Sequence, residues 1–452
     1  MAAGENDLPH VVIIGGGFGG LACARALGGA RVRVTLIDRR NHNLFQPLLY
    51  QVATAAVPPA DIAEPIRKLV ARHLNIRVLL GEVVAVDTSR RQVRTRDGAV
   101  VAYDKLVMAT GSQDHYFGNE DWSAHAPGLK SISDAQIIRQ RLLLAFEKAE
   151  QEPDPEAQRQ LLTTVIIGGG PTGVEMAGSI VELGRSMISS DFRNIGARAQ
   201  RVVLVEGGPR LLPAFPEELS DYARRALEAQ GVEVMTDNMV ESIGDGEVRF
   251  GDTHIKAGTI VWGAGVKASP AAEWLGVEAD RGGRIAVSDR LKAEELDGVY
   301  CIGDIALCAG ADGEPLPALA QVASQQGRYL GRALKRLLVD GEQPGPFAYR
   351  NRGTTAVIGR KAAVIDFGKR RITGRMAWLL WAAIHVYLLS NPEKRLFVGF
   401  RWAWRFFTRQ RGARLIDEES VTAQAALVED SLPPAALESD AEPAPERKRQ
   451  SG

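Results

Sequence analysis

Cysteine is nearly missing from this chain of 452 residues. The three present, Cys23, Cys301 and Cys308, form no C-x-x-C or other short couple. That argues against a disulfide framework and disfavours a redox cysteine pair, and it fits a reducing compartment. Charge of one sign is missing too: 55 basic residues balance 55 acidic ones. Nothing in that balance draws the chain to nucleic acid. No apolar run reaches the roughly 18 residues that a bilayer-spanning helix needs. The opening MAAGENDLP lacks a basic and then apolar leader, so no secretory signal is expected. No metal site is expected. An apolar share of 45% and a charged share of 24% are ordinary for a globular protein, and the length predicts two or three domains.

Glycine is abundant, and its placement carries information. In HVVIIGGGFGG, Val11 to Ile14 read as a buried parallel strand. Gly15, Gly17 and Gly20 follow as G-x-G-x-x-G, with a helix predicted from about Gly20 to Leu27. The first glycine permits a tight turn, the second a close approach by a pyrophosphate, the third packing of helix on strand. A second strand, Val32 to Ile37, ends in Asp38, placed to accept hydrogen bonds from a ribose. Strand, glycines, helix and acid together predict a dinucleotide site.

The same grammar returns in the middle of the chain. Short strands are predicted at 76–80, 82–87, 92–95 and 105–109, the last running into Ala109, Thr110 and Gly111. A helix over 134–150 precedes the breaker EPDPE. Then Thr163 to Ile167 lead into Gly168, Gly170 and Gly173, and Arg201 to Val205 end in Glu206. Two dinucleotide modules imply two dinucleotides with a reaction between them, and a flavin with a nicotinamide cofactor is the natural pair. An acid at Glu206 disfavours a 2′-phosphate, which points to NADH, although Arg210 stands close by. Val299 to Gly303 and Asp304 form another strand with a glycine and an acid. PALAQVASQQG places Gln321 and Gln325 on one helical face.

The C-terminal part changes character. Residues 369–414 hold eleven Lys and Arg against one acid, Glu393, together with Trp378, Trp381, Trp402 and Trp404. Met376 to Leu389 carry no charge, too short a run to span a bilayer. Arg401, Arg405 and Arg409 form one stripe, and Leu396, Phe400, Ala403 and Phe407 the opposite one. Basic and aromatic residues on an amphipathic helix suit the surface of an anionic membrane. A helix pair docked on the protein itself or on a second subunit is the alternative. The acidic, Pro- and Ala-rich residues 417–452 read as disordered.

Residues 10 to about 415 resemble type II NADH dehydrogenase, a single-chain NADH:quinone oxidoreductase. The resemblance rests on GGGFGG at 15–20, FQPLLYQVA at 45–53, ATGS at 109–112, GGGPTGVEMAG at 168–178, WGAGV at 262–266, IGD at 302–304 and AQVASQQG at 320–327. It implies an α/β fold with two Rossmann-like dinucleotide-binding domains and a C-terminal amphipathic helical membrane-binding region. An FAD domain (8–116 and 290–365) would be interrupted by an NAD(H) domain (117–289), followed by membrane-associating helices (366–416) and the tail (417–452).

The same resemblance implies that FAD is held by Gly15, Gly17, Phe18, Gly19, Gly20, Asp38, Arg39, Gln46, Pro47, Val83, Ala109, Thr110, Gly111, Asp304, Ala320 and Gln321. NADH would be held by Gly168, Gly170, Pro171, Thr172, Gly173, Glu175, Glu206, Gly263 and Ala264. Glu175 would lie close to both rings, with Gln321 and Gln325 on the flavin and quinone side. Lys394 or Arg395 would stand near a quinone tunnel. Glu175, Gln321 and Gln325 are thus the candidate catalytic residues. A homodimer, peripheral on the cytoplasmic face of a bacterial inner membrane, is further implied. The alternatives are a sulfide:quinone oxidoreductase, which needs reactive cysteines, and a non-catalytic FAD/NADH redox sensor.

Overall fold

In the computed structural model, residues 8–196, 198–388, 395–400, 402 and 414–416 are described. The chain runs β1 (His10–Ile14), α1 (Phe18–Leu27), β2 (Arg33–Asp38), β3 (Ile76–Leu80), β4 (Lys105–Met108) and α2 (Ile132–Gln151). It continues through β5 (Thr163–Ile167), α3 (Pro171–Ser190), β6 (Arg201–Val205), β7 (Val232–Met235) and β8 (Thr259–Trp262). β9 (Val299–Cys301), α4 (Ala320–Lys335), β10 (Thr354–Gly359), β11 (Ala362–Asp366), β12 (Arg371–Thr373) and α5 (Gly374–Leu388) complete it, with short strands and turns between.

Two parallel sheets follow from the two runs of β-branched residues. The first has the order β9-β4-β1-β2-β3, the second β7-β6-β5-β8. β1 pairs with β2 from His10↔Arg33 to Ile14↔Ile37, and β5 with β6 from Thr163↔Arg201 to Ile167↔Val205, five rungs in each. Val11, Val12 and Ile13 have no exposed surface, nor do Val165 and Ile166, as strands covered on both faces require.

Each sheet has its own apolar core. Around the second, Trp262 on β8 stacks on Tyr116 at 4.9 Å and meets Trp122 edge-on. The two connections between the sheets pair with each other. Ser112–Asp114, leaving β4, lies antiparallel to Val266–Ala268, returning from β8. The Thr110 and Ser269 hydroxyls close that crossing at 2.5 Å.

The sequence expectations differ from the elements mainly at their ends. α1 starts at Phe18 rather than Gly20. α3 spans Pro171–Ser190 rather than 174–187, because Pro171 in the first turn needs no donor. α4 starts at Ala320 and continues to Lys335. It crosses α1 at backbone distance: a Cβ on Gly327 would stand 2.1 Å from the Gly19 oxygen, and one on Gly331 2.5 Å from the Cys23 oxygen.

β10, β11 and β12 form an antiparallel sheet on which α5 packs. Ala377, Trp381 and His385 recur every four residues and are buried. Trp381 stacks on His385 at 4.4 Å and on Trp402 at 5.2 Å. Trp402 Nε1 donates to Gln51 Oε1, and His385 meets Phe45 edge-on. The FQPLLYQVA segment thus receives the C-terminal residues Trp402 and His385. Among the described residues no helix is long and apolar enough to cross a membrane.

The described residues up to Phe400 and Trp402 form one compact unit, from which residues 414–416 are set apart. Lys394, Arg401, Ala403, Trp404, Arg405, Phe407, Arg409 and the tail 417–452 lie outside the described residues.

Candidate functional site

The two glycine motifs fold alike, and each glycine answers a different constraint. A Cβ on Gly15 would stand 2.2 Å from the Ala109 oxygen, and one on Gly20 1.8 Å from the Gly15 oxygen. In the second module a Cβ on Gly168 would meet the Gly263 backbone at 2.5 Å and Ala264 Cα at 2.6 Å. One on Gly173 would meet the Gly168 oxygen at 1.9 Å. These are demands of packing within the chain. Gly17 and Gly170 are different: a Cβ on either would meet nothing within 4 Å. Both are the N-terminal caps of their helices, where free N–H groups and the helix dipole favour an anion. Glycine at these two positions answers to space outside the protein, as a pyrophosphate requires. The residues present therefore fit two dinucleotides.

The two acids are held in the same way. Asp38 accepts from the Gly16 and Arg40 amides at 2.6 and 2.7 Å. Glu206 accepts from the Gly169 and Gly208 amides at 2.5 and 2.7 Å. Each carboxylate is fixed beside its own glycine turn, where a ribose would be met. Arg210 is committed elsewhere: its guanidinium donates to the Phe215 and Pro213 carbonyls and to the Ser220 hydroxyl. Its closeness in sequence to Glu206 therefore does not make it a free partner for a 2′-phosphate.

A cleft of about 590 Å³ opens on the first module. It is lined by Gly15, Gly17, Phe18, Gly19, Asp38, Arg39, Gln46, Val83, Ala109, Thr110, Gly111, Asp304 and Ala320. Gly20 and Pro47 do not line it; Gly20 packs on Gly15, and Pro47 is the middle residue of the turn Gln46–Leu48. Sequence reasoning missed several groups that shape this cleft. Asn43, buried, donates to the Gly16 oxygen. Lys130 Nζ donates to the Ser112 hydroxyl, which donates to Asp304. Gln326, buried, accepts from the Gly303 amide and fixes the turn before Asp304. Burial pushes Asp114 in the cleft wall up to about 6, with Lys130 opposing and Asp134 adding to the shift. These are side-chain bonds across long stretches of sequence, and only Ser112, in ATGS, and Gln326, in AQVASQQG, stood in motifs already singled out.

Glu175 lies in the first turns of α3. One of its oxygens accepts from the Val357 amide at 3.2 Å. Part of its surface remains open, yet protein surrounds its carboxyl, and that burial raises its pKa to about 8. Gly178 and Glu182, on the same face of α3, meet Ile358 and the Arg360 amide, so this face carries strand β10.

Gln321 and Gln325 are brought together with another partner. Gln321 donates to the Gly353 oxygen and accepts from the Arg352 amide. Gln325 does the same with the Arg350 oxygen and amide. The two amides clamp residues 350–353 to α4, and neither lines the first cleft. Cys23, Cys301 and Cys308 are free and buried, and burial pushes Cys23 and Cys301 up to about 12.

A family model described as pyridine nucleotide-disulphide oxidoreductase matches residues 9–327. The chain is 38% identical over 431 residues to the type II NADH:quinone oxidoreductase NdhA of Mycobacterium tuberculosis, covering 92% of this chain and 91% of that protein. It is 37% identical to the type II NADH:quinone oxidoreductase Ndh of the same organism, covering 92% of each. The solved structure of NDH2 from Plasmodium falciparum in complex with NADH is similar at a TM-score of 0.80, with 19% identity, over 88% of this chain and 98% of that one. With 319 consecutive residues inside the family model, from 9 to 327, and near-complete coverage of both mycobacterial relatives, the chain belongs to the pyridine nucleotide-disulphide oxidoreductase family and, within it, to the type II NADH:quinone oxidoreductases.

Proposed function

We propose that the chain oxidises NADH and reduces a membrane quinone, without moving protons across the membrane, using FAD in the first module and NADH in the second. The observation that carries this is the duplicated cradle: an open central glycine, Gly17 or Gly170, above an acid pinned by backbone amides. When bound, FAD supplies a two-electron relay between a hydride donor and a quinone.

The chain's own residues do the rest. Gly15, Gly17, Phe18, Gly19, Asp38, Arg39, Gln46, Val83, Ala109, Thr110, Gly111, Asp304 and Ala320 hold and orient the first dinucleotide, with Gly20 packed behind them on Gly15. Gly168, Gly170, Pro171, Thr172, Gly173, Glu206, Gly263 and Ala264 hold the second. Glu175, kept protonated near neutral pH by its burial, holds a proton at its free oxygen for a quinone that needs two. Gln321 and Gln325 act through the 350–353 segment that they clamp, on the quinone side.

The domain bounds proposed are 8–116 with 290–365 for FAD, 117–289 for NADH and 366–416 for membrane attachment. Supporting the last, Met376, Leu379, Tyr387, Leu388, Leu396, Phe397 and Phe400 are exposed while Ala377, Trp381 and His385 dock inward. An apolar helix with one face on the protein and the other left bare suits a monotopic contact with a membrane or a second copy. A peripheral homodimer on the cytoplasmic face is the reading we favour. Buried thiols disfavour a sulfide oxidoreductase, whose cysteines must be reactive.

The test is a flavin spectrum of purified protein, bleached by NADH and restored anaerobically by a quinone. A chain without flavin, or a reduced flavin that oxygen reoxidises as fast as quinone does, overturns the reading.

A further inference from the structure

A second cavity, of about 460 Å³, lies toward the far end of α4, apart from the first cleft, and shares Gln325 and Arg352 with the clamp on residues 350–353. Its wall is built by a regular pattern. Arg328 and Arg332 on α4, and Arg336 in the turn that continues it, recur every fourth residue. At a rise of about 1.5 Å per residue they line up along roughly 12 Å. Arg352 joins them from the segment clamped by Gln321 and Gln325.

No carboxylate lines this cavity, and among the described residues none of the four guanidinium groups has a carboxylate within ion-pair distance. They repel one another: burial and then the charges of Arg352 and Arg332 lower the Arg328 pKa. All four guanidinium groups are exposed, yet they converge on one concave site instead of spreading over a flat helix face. The Tyr329 hydroxyl holds the Gly345 carbonyl at 2.5 Å, and the Tyr329 ring packs against Phe347 at 5.4 Å. Gln325 pins the opposite wall through both the amide and the carbonyl of Arg350.

We propose that this cavity is a second binding site, for an anion that carries phosphate beside an apolar or ring body, the phosphate on the arginines and the body against Tyr329, Phe347 and the flanking prolines. Planar guanidinium forks match phosphate oxygens in pairs, and several of them around one cavity select for more than a single charge. The volume falls within the range of small-ligand sites. A soluble nucleotide and a membrane phospholipid share this chemistry.

The experiment uses holoenzyme saturated with NAD+, so that the dinucleotide site is filled. ADP is titrated by calorimetry at low salt, and retention is measured on phosphatidylcholine vesicles containing phosphatidylglycerol. The variants are Arg332→Glu and Arg336→Glu, both exposed positions, with Arg72→Glu as an exposed reversal outside the cavity. FAD content serves as the check on folding. An ADP affinity that falls about tenfold or more in the cavity variants only supports a soluble ligand. Vesicle retention that falls in those variants only, without ADP binding, supports a lipid headgroup. Equal behaviour of wild type, cavity variants and Arg72→Glu in both arms overturns the site.

Discussion

Glu175 takes a single protein hydrogen bond among the described residues, from the Val357 amide. One amide does not offset the desolvation of a carboxylate, so burial dominates and the group titrates near 8 instead of 4.5. Between those values the folded chain holds a proton that the unfolded chain gives up. Wild-type stability therefore falls as pH rises from about 4.5 to about 8, and is flat below. Glu175→Gln removes that dependence, with a slope of at most about 1.4 kcal/mol per pH unit. Denaturation midpoints of the two proteins should converge near pH 4.5 and separate toward pH 8, the variant being the more stable. If Glu175 also holds the quinone's proton, the variant's turnover drops about tenfold or more with FAD retained. Wild-type turnover would then decline above about pH 8. A variant with unchanged turnover and an unchanged pH profile removes Glu175 from the reaction.

Gly17 and Gly20 stand three residues apart and should respond oppositely to alanine. Gly17→Ala adds a methyl group where no protein atom is in reach, so folding should be nearly unaffected while FAD content collapses. Gly20→Ala drives a methyl into the Gly15 carbonyl and should cost about 3 kcal/mol or more. Gly170→Ala repeats the first case in the second module: FAD stays and the KM for NADH rises. Flavin absorbance, urea unfolding and initial rates separate the three.

Much of this was legible because both modules obey local rules. Strand, glycine turn, helix and acid follow one another within forty or so residues, and each leaves a residue type that the turn cannot do without. Gln321 and Gln325 show where legibility ends. Their spacing gave a shared helical face, but nothing in it revealed that the face holds the backbone of 350–353. The roles of Asn43 and His385 were invisible for the same reason: a side chain bonded or stacked across long sequence separations leaves no period. The C-terminal pattern was read as either membrane-facing or docked. Within α5 the four-residue stripe Ala377, Trp381 and His385 is docked, and its other side is bare.

Glu206 and Arg210 give a prediction about cofactor choice. The glutamate is pinned beside the second glycine turn, and the arginine is spent on Phe215, Pro213 and Ser220. Glu206→Gln should lower the ratio of kcat/KM for NADH over NADPH by about tenfold or more, by removing like charge from the 2′-phosphate. Arg210→Ala should leave the ratio unchanged and instead cost about 1–3 kcal/mol of stability, from two carbonyls and a hydroxyl left without their donor. A drop in NADPH use by Arg210→Ala would mean that its guanidinium reaches the cofactor after all.

The bare and the docked sides of the C-terminal helices can be tested apart. Leu379 and Phe400 are exposed, 54% and 67%, whereas Gln51, which takes the Trp402 indole N–H, is 7% exposed. Charges placed on the bare side oppose burial in lipid at little cost to the fold. Leu379→Glu with Phe400→Glu should move the protein from the membrane pellet to the supernatant, with FAD and NADH-driven reduction of a water-soluble acceptor retained. Gln51→Leu strands a buried indole N–H and should lower stability by about 1–3 kcal/mol without releasing the protein. If the double variant still sediments with lipid but no longer self-associates in detergent, the bare side joins two copies and attachment lies elsewhere. Light scattering of the solubilised protein, run beside the sedimentation, decides between those outcomes.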